Sequence, residues 1–197
     1  MSAMTSAPFL PVRHRPIEIA RETFVIQATV GEGVAPQAIH MNSMVIRGAE
    51  PVVVDTELGR VGLTICFDFI FPELSRILAL QGAQIILNST FWFADSFSEK
   101  MGFEPATILA LARTRALENS VYCVMACRTG EEDAPWGGKV RGMGHSSIVS
   151  PSGKTLAQAG IGEMIISAEL DMDFRDQWIK AVNYLGCRRT DVYGKYL

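Results

Sequence analysis

The chain predicts an α/β fold, and three observations carry that prediction. Residues 60–65 form a short apolar stretch of buried-strand character, and residues 83–87 form another. Between them, Glu73 to Leu80 places apolar residues at helical spacing and runs to Gly82, a natural helix stop. Strand, helix and strand in that order imply a parallel crossover, and ligands gather beyond the carboxyl ends of such strands.

Composition sets the outer bounds. A chain of 197 residues suffices for one domain with a substantial core. Its 48% hydrophobic and 20% charged residues are ordinary for a soluble globular protein. With 18 basic and 21 acidic residues, a net charge of −3, there is no electrostatic case for nucleic acid or an anionic membrane. Cys66, Cys123, Cys127 and Cys187 form no Cys-x-x-Cys pattern, so a reducing cytoplasm is the simplest setting. Residues 1–16 lack the apolar core of a signal peptide, and no run approaches membrane-spanning length.

Taken in order, residues 1–16 carry Pro8, Pro11 and Pro16 and read as an irregular leader, with a single domain over 17–197. Residues 17–21 suit the end of a helix, 23–30 a strand ending at Gly31, and 42–46 a second strand. Residues 51–55 and 61–66 make two strands, joined by a connection in which Gly59 supplies the positive-φ position of a hairpin. The strand over 83–87 emerges into residues 88–93, where the rings of Phe91, Trp92 and Phe93 either line a pocket or pack a core or interface. Pro105 suits the first turn of a helix to Asn119, with Ile108, Leu109, Leu111, Ala112, Ala116 and Leu117 as its apolar face. Within that helix, Glu118 with Arg115 or Arg113 reads as a structural ion pair rather than a general base.

Residues 120–128 form a strand with Val121, Cys123, Met125 and Cys127 on one face, as core fillers. The glycine-rich, polar residues 130–144 read as a mobile surface or pocket loop. His145 opens a strand to Ser150, Pro151 to Lys154 is a turn, and 155–159 with 163–170 complete an antiparallel pair. Asp171 or Asp173 caps a last helix over 174–184.

The chemistry concentrates at Cys66. It sits where a strand breaks sharply before a helix, a junction that exposes a side chain above the sheet and aims backbone N–H groups at it. Such a turn suits thiolate attack on a carbonyl or nitrile carbon. A lone cysteine ending an apolar strand is more often a small core residue, but the neighbours here decide otherwise. The run from Gly62 to Glu73, with Cys66, Phe67 and Asp68 closed by Phe71, Pro72 and Glu73, resembles the nucleophile motif of the nitrilase (carbon–nitrogen hydrolase) superfamily. The approach from Val53 to Gly62 and the helix end from Arg113 to Asn119 are similar to that family too. So is the tail from Arg188 to Tyr193, although Thr190 and Asp191 stand where the family ending has Pro and Glu.

The resemblance implies an α-β-β-α sandwich, here incomplete at its N-terminal end, and a homodimer or higher homo-oligomer. It implies hydrolysis of a non-peptide amide, carbamoyl compound or nitrile to a carboxylic acid and ammonia or an amine, through a cysteine thioester and with no cofactor or metal. Cys66 takes the place of the nucleophile and the Phe67 backbone N–H that of the oxyanion donor; Thr90, Phe91 and Trp92 are substrate-binding candidates from their place beyond the carboxyl end of a parallel strand. Of the family's Glu–Lys–Cys triad only the cysteine is identifiable. No lysine precedes Lys100, and Glu18, Glu22, Glu32 and Glu50 stand in no matching motif. The alternative is a catalytically silent or fragmentary relative that keeps the fold and its association surfaces. A cysteine protease ranks lower, because His14, His40 and His145 have no motif support.

Overall fold

Apolar and β-branched residues dominate the early segments of the chain, and strands result. The structure, a computed structural model, describes residues 12–13, 17–20, 23–30, 39–46, 51, 53–94, 100–134 and 137–195. The chain divides into two units, residues 1–50 with 133–138 and residues 51–132 with 139–197. In the first, β1 (Val12–Arg13), β2 (Ile17–Ala20), β3 (Thr23–Val30) and β4 (Ile39–Ile46) form an antiparallel sheet. β3 pairs with β4 from Thr23↔Ile46 to Val30↔Ile39 and also bonds β1 and β2. Residues 17–21 were expected to end a helix; instead 17–20 are strand. Ile17 and Ile19 are β-branched and alternate, a pattern that pairs with β3 more readily than it closes a helical turn. β4 likewise begins ahead of the expected residue 42, and β1 lies within the segment read as an irregular leader.

The second unit is built on β5 (Val53–Thr56), β6 (Gly59–Ile65), β7 (Ile85–Thr90), β9 (Tyr122–Cys127), β12 (Ser147–Val149) and β13 (Thr155–Gln158). They form one sheet in the order β13-β12-β9-β7-β6-β5. The β5–β6 hairpin closes with Gly59 at φ 115°, as expected, and Thr56 Oγ1 donates to the Gly59 carbonyl at 2.7 Å. β6, β7 and β9 run parallel, so their carboxyl ends emerge together, while the outer strands are antiparallel. The segment expected to be a loop contains a ribbon of β10 (Glu131–Asp133) and β11 (Lys139–Gly142), with β8 (Phe93–Ala94) beside β11. A Cβ at Gly142 would lie 2.3 Å from the Arg128 carbonyl oxygen, so glycine is what permits this close approach.

Two crossovers carry the main helices. α1 (Pro72–Leu80) begins with Pro72 in its first turn and stops where Gly82 adopts φ 93°. α2 (Pro105–Asn119) has the predicted limits and ends on Ser120 in the left-handed region at φ 53°. Both helices cover one face of the sheet. Leu78 and Ala79 of α1 and Ala112 and Ala116 of α2 meet Phe69, Ile86 and Cys123 in one buried cluster. On the opposite face Leu170 and Met172 pack on Val61, Ile85 and Tyr122, while Leu63 further along β6 is 59% exposed.

Residues 163–170 form no strand, contrary to expectation, and Ile165 is 98% exposed. β composition is a fitness for a pleated neighbour rather than a backbone state in itself, and no described strand pairs with this segment. Asp171 then caps α3 (Met172–Val182), accepting the Phe174 N–H at 2.9 Å, and a short α4 (Thr190–Tyr193) follows. Among the described residues no helix is long and apolar enough to cross a membrane.

Leu78 is fully buried between α1 and the sheet, with all three of its nearest side-chain carbons within 3.2 Å of where a Gly62 Cβ would stand. Leu78→Ala is expected to cost about 2–5 kcal/mol. Urea unfolding should show a lower midpoint at an unchanged slope, and a loss below about 1 kcal/mol would contradict this packing.

Candidate active site

The site begins with a backbone anomaly. At the carboxyl end of β6 the chain leaves the sheet through a 3₁₀ turn, Cys66–Ile70, and Cys66 itself holds φ at 46°. Residues with a Cβ rarely occupy that region, and such strain collects at functional sites. The turn is held at several points. Asp68 Oδ2 accepts the Ile65 N–H at 3.0 Å, the Asp68 carbonyl accepts the Phe71 N–H at 3.2 Å, and the Phe69 side chain is fully buried. From β7, Asn88 Nδ2 donates to Thr64 Oγ1 at 3.0 Å and reaches the Cys66 carbonyl at 3.5 Å, while Thr64 Oγ1 donates to the Leu87 carbonyl at 3.1 Å.

Beneath the turn lies Arg115, only 6% exposed. Its Nε donates to the Phe69 carbonyl at 3.0 Å, Nη2 to the Ile70 carbonyl at 2.7 Å, and Nη1 to Glu118 Oε1 at 2.8 Å. Arg76 of α1 donates to the Glu118 carbonyl and lies 4.0 Å from its carboxylate. Burial lowers the Arg76 pKa, and Glu118 opposes that shift. Glu118 is thus an ion-pair partner of Arg115, as read from the sequence; Arg113 instead donates to the Gly153 carbonyl at 2.8 Å.

Cys66 and Thr90 follow the paired residues Ile65 and Ser89 at the ends of neighbouring parallel strands. The Thr90 side chain is buried with its hydroxyl unpartnered among the described residues, and its carbonyl accepts the Arg128 N–H at 3.0 Å. Phe91 is half-buried beneath the Arg128 guanidinium, 4.8 Å from the ring centroid. Trp92 turns toward a small core of Ile108, Met125 and Met143 and lies 5.6 Å from Phe103. Phe67 is 40% exposed and meets Phe71 edge-on at 5.3 Å. A cavity of about 550 Å³ opens at the carboxyl end of β9, lined by Cys127, Arg128, Thr129, Ser146 and Glu163 among others. Among the described residues no group of three or more His, Cys, Asp or Glu side chains is placed to hold a metal ion.

The carbon-nitrogen hydrolase family model matches residues 13–180. The chain belongs to the carbon-nitrogen hydrolase family. It is 33% identical over 177 residues to the omega-amidase NIT3 of Saccharomyces cerevisiae, covering 90% of this chain and 56% of that protein. It is 36% identical over 141 residues to the omega-amidase NIT2-A of Xenopus laevis, covering 72% of this chain and 47% of that one. The chain thus spans about half the length of these relatives. The crystal structure of a carbon-nitrogen hydrolase from Helicobacter pylori G27 superposes with a TM-score of 0.69 at 24% identity, over 92% of this chain and 68% of that chain. That likeness is one of fold, and it places the mixed sheet and its helices in the carbon-nitrogen hydrolase architecture.

Within this family member the four thiols are not equivalent. Cys123 is fully buried and Cys127 nearly so, and burial raises the pKa of both; Arg115 opposes the shift at Cys123, as do the Trp92 and Gly144 backbones at Cys127. Cys66 is half-buried and Cys187 exposed. His145, expected to open a strand, precedes β12 in the left-handed region at φ 54° and donates its N–H to the Gly160 carbonyl at 2.9 Å. Sequence reasoning missed Thr64, Asn88 and the Arg115 fork. The first two carried a signal, since a polar residue inside a buried strand must find a partner.

A thiol held protonated by burial makes stability fall at alkaline pH. The unfolded chain ionises its cysteines from about pH 8.5 upward while buried Cys123 stays neutral, so its contribution is intact below that value and is lost above it. Cys123→Ala should therefore flatten the alkaline decline in unfolding free energy, by up to about 1.4 kcal/mol per pH unit. Urea titrations between about pH 7.5 and pH 9.5 measure the slope, and an unchanged slope contradicts the assignment.

Proposed function

We propose that this chain is a cysteine amidase that hydrolyses a non-peptide carbon–nitrogen bond in a small molecule through Cys66. The observation that carries the reading is half-buried Cys66 on a left-handed backbone, at the mouth of the parallel strands and within the stretch that resembles the family's nucleophile motif. Two relatives of this chain are omega-amidases, which supports a terminal amide as the first substrate class to test, ahead of carbamoyl compounds and nitriles.

In this reading the Cys66 sulfur attacks the amide carbon as its proton leaves. The Phe67 N–H, first in the turn after the nucleophile, donates to the oxygen as it takes up negative charge. Collapse breaks the carbon–nitrogen bond, and ammonia or an amine departs with the transferred proton. Water then adds to the thioester, the carbon–sulfur bond breaks, and the carboxylic acid leaves as the thiol regains a proton. Of the three substrate-binding candidates, Phe91 borders the acyl portion in this reading, with Arg128 above its ring, while buried Thr90 and core-packed Trp92 support that strand end from behind. A reducing cytoplasmic setting suits a catalytic thiol, and a homodimer or larger homo-oligomer belongs to the same reading, with neither nucleic acid nor membrane as partner.

The first ninety-nine residues contain no lysine. The family resemblance gives a lysine the role of an oxyanion donor, and a missing oxyanion donor costs about 10²–10³ in rate, so slow turnover is expected. Incubation with small terminal amides should add the acyl mass to the Cys66 peptide and release ammonia, and Cys66→Ala should abolish both while retaining the circular dichroism of the parent. Absence of adduct and ammonia across the panel, or their persistence in Cys66→Ala, would leave the chain a non-catalytic member of its family.

A further inference from the structure

We infer that Arg115 is a positioning residue for Cys66, an inference that rests on the reading of Cys66 as nucleophile. The reacting groups of that reading, the Cys66 sulfur and the Phe67 N–H, are the first two residues of one continuous 3₁₀ turn. The last carbonyls of any helix lack partners inside it. Here the final two, Phe69 and Ile70, are consecutive, and one guanidinium takes both, at 3.0 and 2.7 Å. Its third nitrogen is occupied by Glu118 at 2.8 Å, so the fork has no freedom to rotate.

Geometry makes this more than a stabilising contact. A five-residue 3₁₀ turn is a short rigid unit, and displacing its carbonyl end displaces its amino end, where the reacting groups sit. The fork belongs to α2, forty-five or more residues away along the chain. It therefore refers the turn to the same buried cluster that seats Ala112, Ala116 and Phe69. The planar guanidinium offers two N–H directions at a fixed angle, whereas a lysine ammonium offers a point charge on a flexible stem. Arg115→Lys keeps the charge and removes the geometry.

The four thiols supply an internal gauge. Iodoacetamide labelling followed by peptide mass spectrometry gives the rate at Cys66 relative to exposed Cys187, well below the melting transition. The parent should label Cys66 faster than Cys187. Arg115→Lys should lower that ratio several-fold, because a shifted turn no longer aims its backbone N–H groups at the thiolate. A role confined to stability would lower the melting temperature and leave the ratio unchanged, because the folded molecules would carry an intact turn. Should Arg115→Lys lose its far-ultraviolet circular dichroism, Glu118→Ala serves instead: it frees one side of the fork and should lower the ratio several-fold, and Glu118→Gln, which still offers an acceptor, should restore it. A ratio within twofold of the parent in the folded variant overturns the positioning role alone. A parent in which Cys66 labels no faster than Cys187 overturns the nucleophile reading, and the positioning role with it.

Discussion

Holding a non-glycine residue at positive φ costs about 1–3 kcal/mol, and such a residue persists only where its surroundings over-determine it. At Cys66 those surroundings are countable. Phe69, three residues on, is buried without remainder in the cluster that also seats α1 and α2, and full burial of such a ring contributes about 1.5–3 kcal/mol. Asp68 folds back on the Ile65 amide, and Arg115 fills the carbonyl end of the turn. The helices owe their placement to the same few residues. α1 starts directly after Phe71, and α2 is fixed to the turn through a buried guanidinium.

Much of this architecture could be read from local chemistry. The β6–turn–α1–β7 crossover was legible because each piece signals itself: an apolar strand, a proline in the first helical turn, a glycine at the stop. α2 was legible at both ends, from Pro105 to Asn119, for similar reasons. The failures share a cause. Residues 17–20 and 163–170 are short segments of mixed signal, and whether either becomes a strand depends on a neighbour that local composition does not reveal. β3 supplies that neighbour to the first, and no described strand supplies one to the second. Glycines 142 and 144 read as loop, although the missing side chain at Gly142 serves strand contact with the Arg128 backbone.

The site divides in the same way. Cys66 and its turn stand out because the motif is contiguous in sequence. Phe91 and Trp92 were placed at the end of the right strand, but their rings part company: one lies under Arg128 and the other joins Phe103 and Met143. Arg115 was legible only as one half of an ion pair with Glu118. Its reach to two carbonyls in a distant turn is a tertiary fact with no trace in helix spacing. Buried arginines of this kind do their work through directionality, and directionality is what pattern reading loses first.

The stretch over 163–170, which joins no described strand, bears on how the molecule breathes. α3 is tied to the sheet through the Leu170 and Met172 side chains and the Tyr122 hydroxyl on the Asp171 carbonyl, and the residues leading to it belong to no described strand. Detaching this arm exposes a modest apolar area and severs none of the ladder bonds between strands. Its opening free energy therefore lies well below that of global unfolding, as in a separate foldon. Amide protons in α3 should be replaced by solvent deuterium while those of β7 and β9, in the middle of the sheet, are still retained.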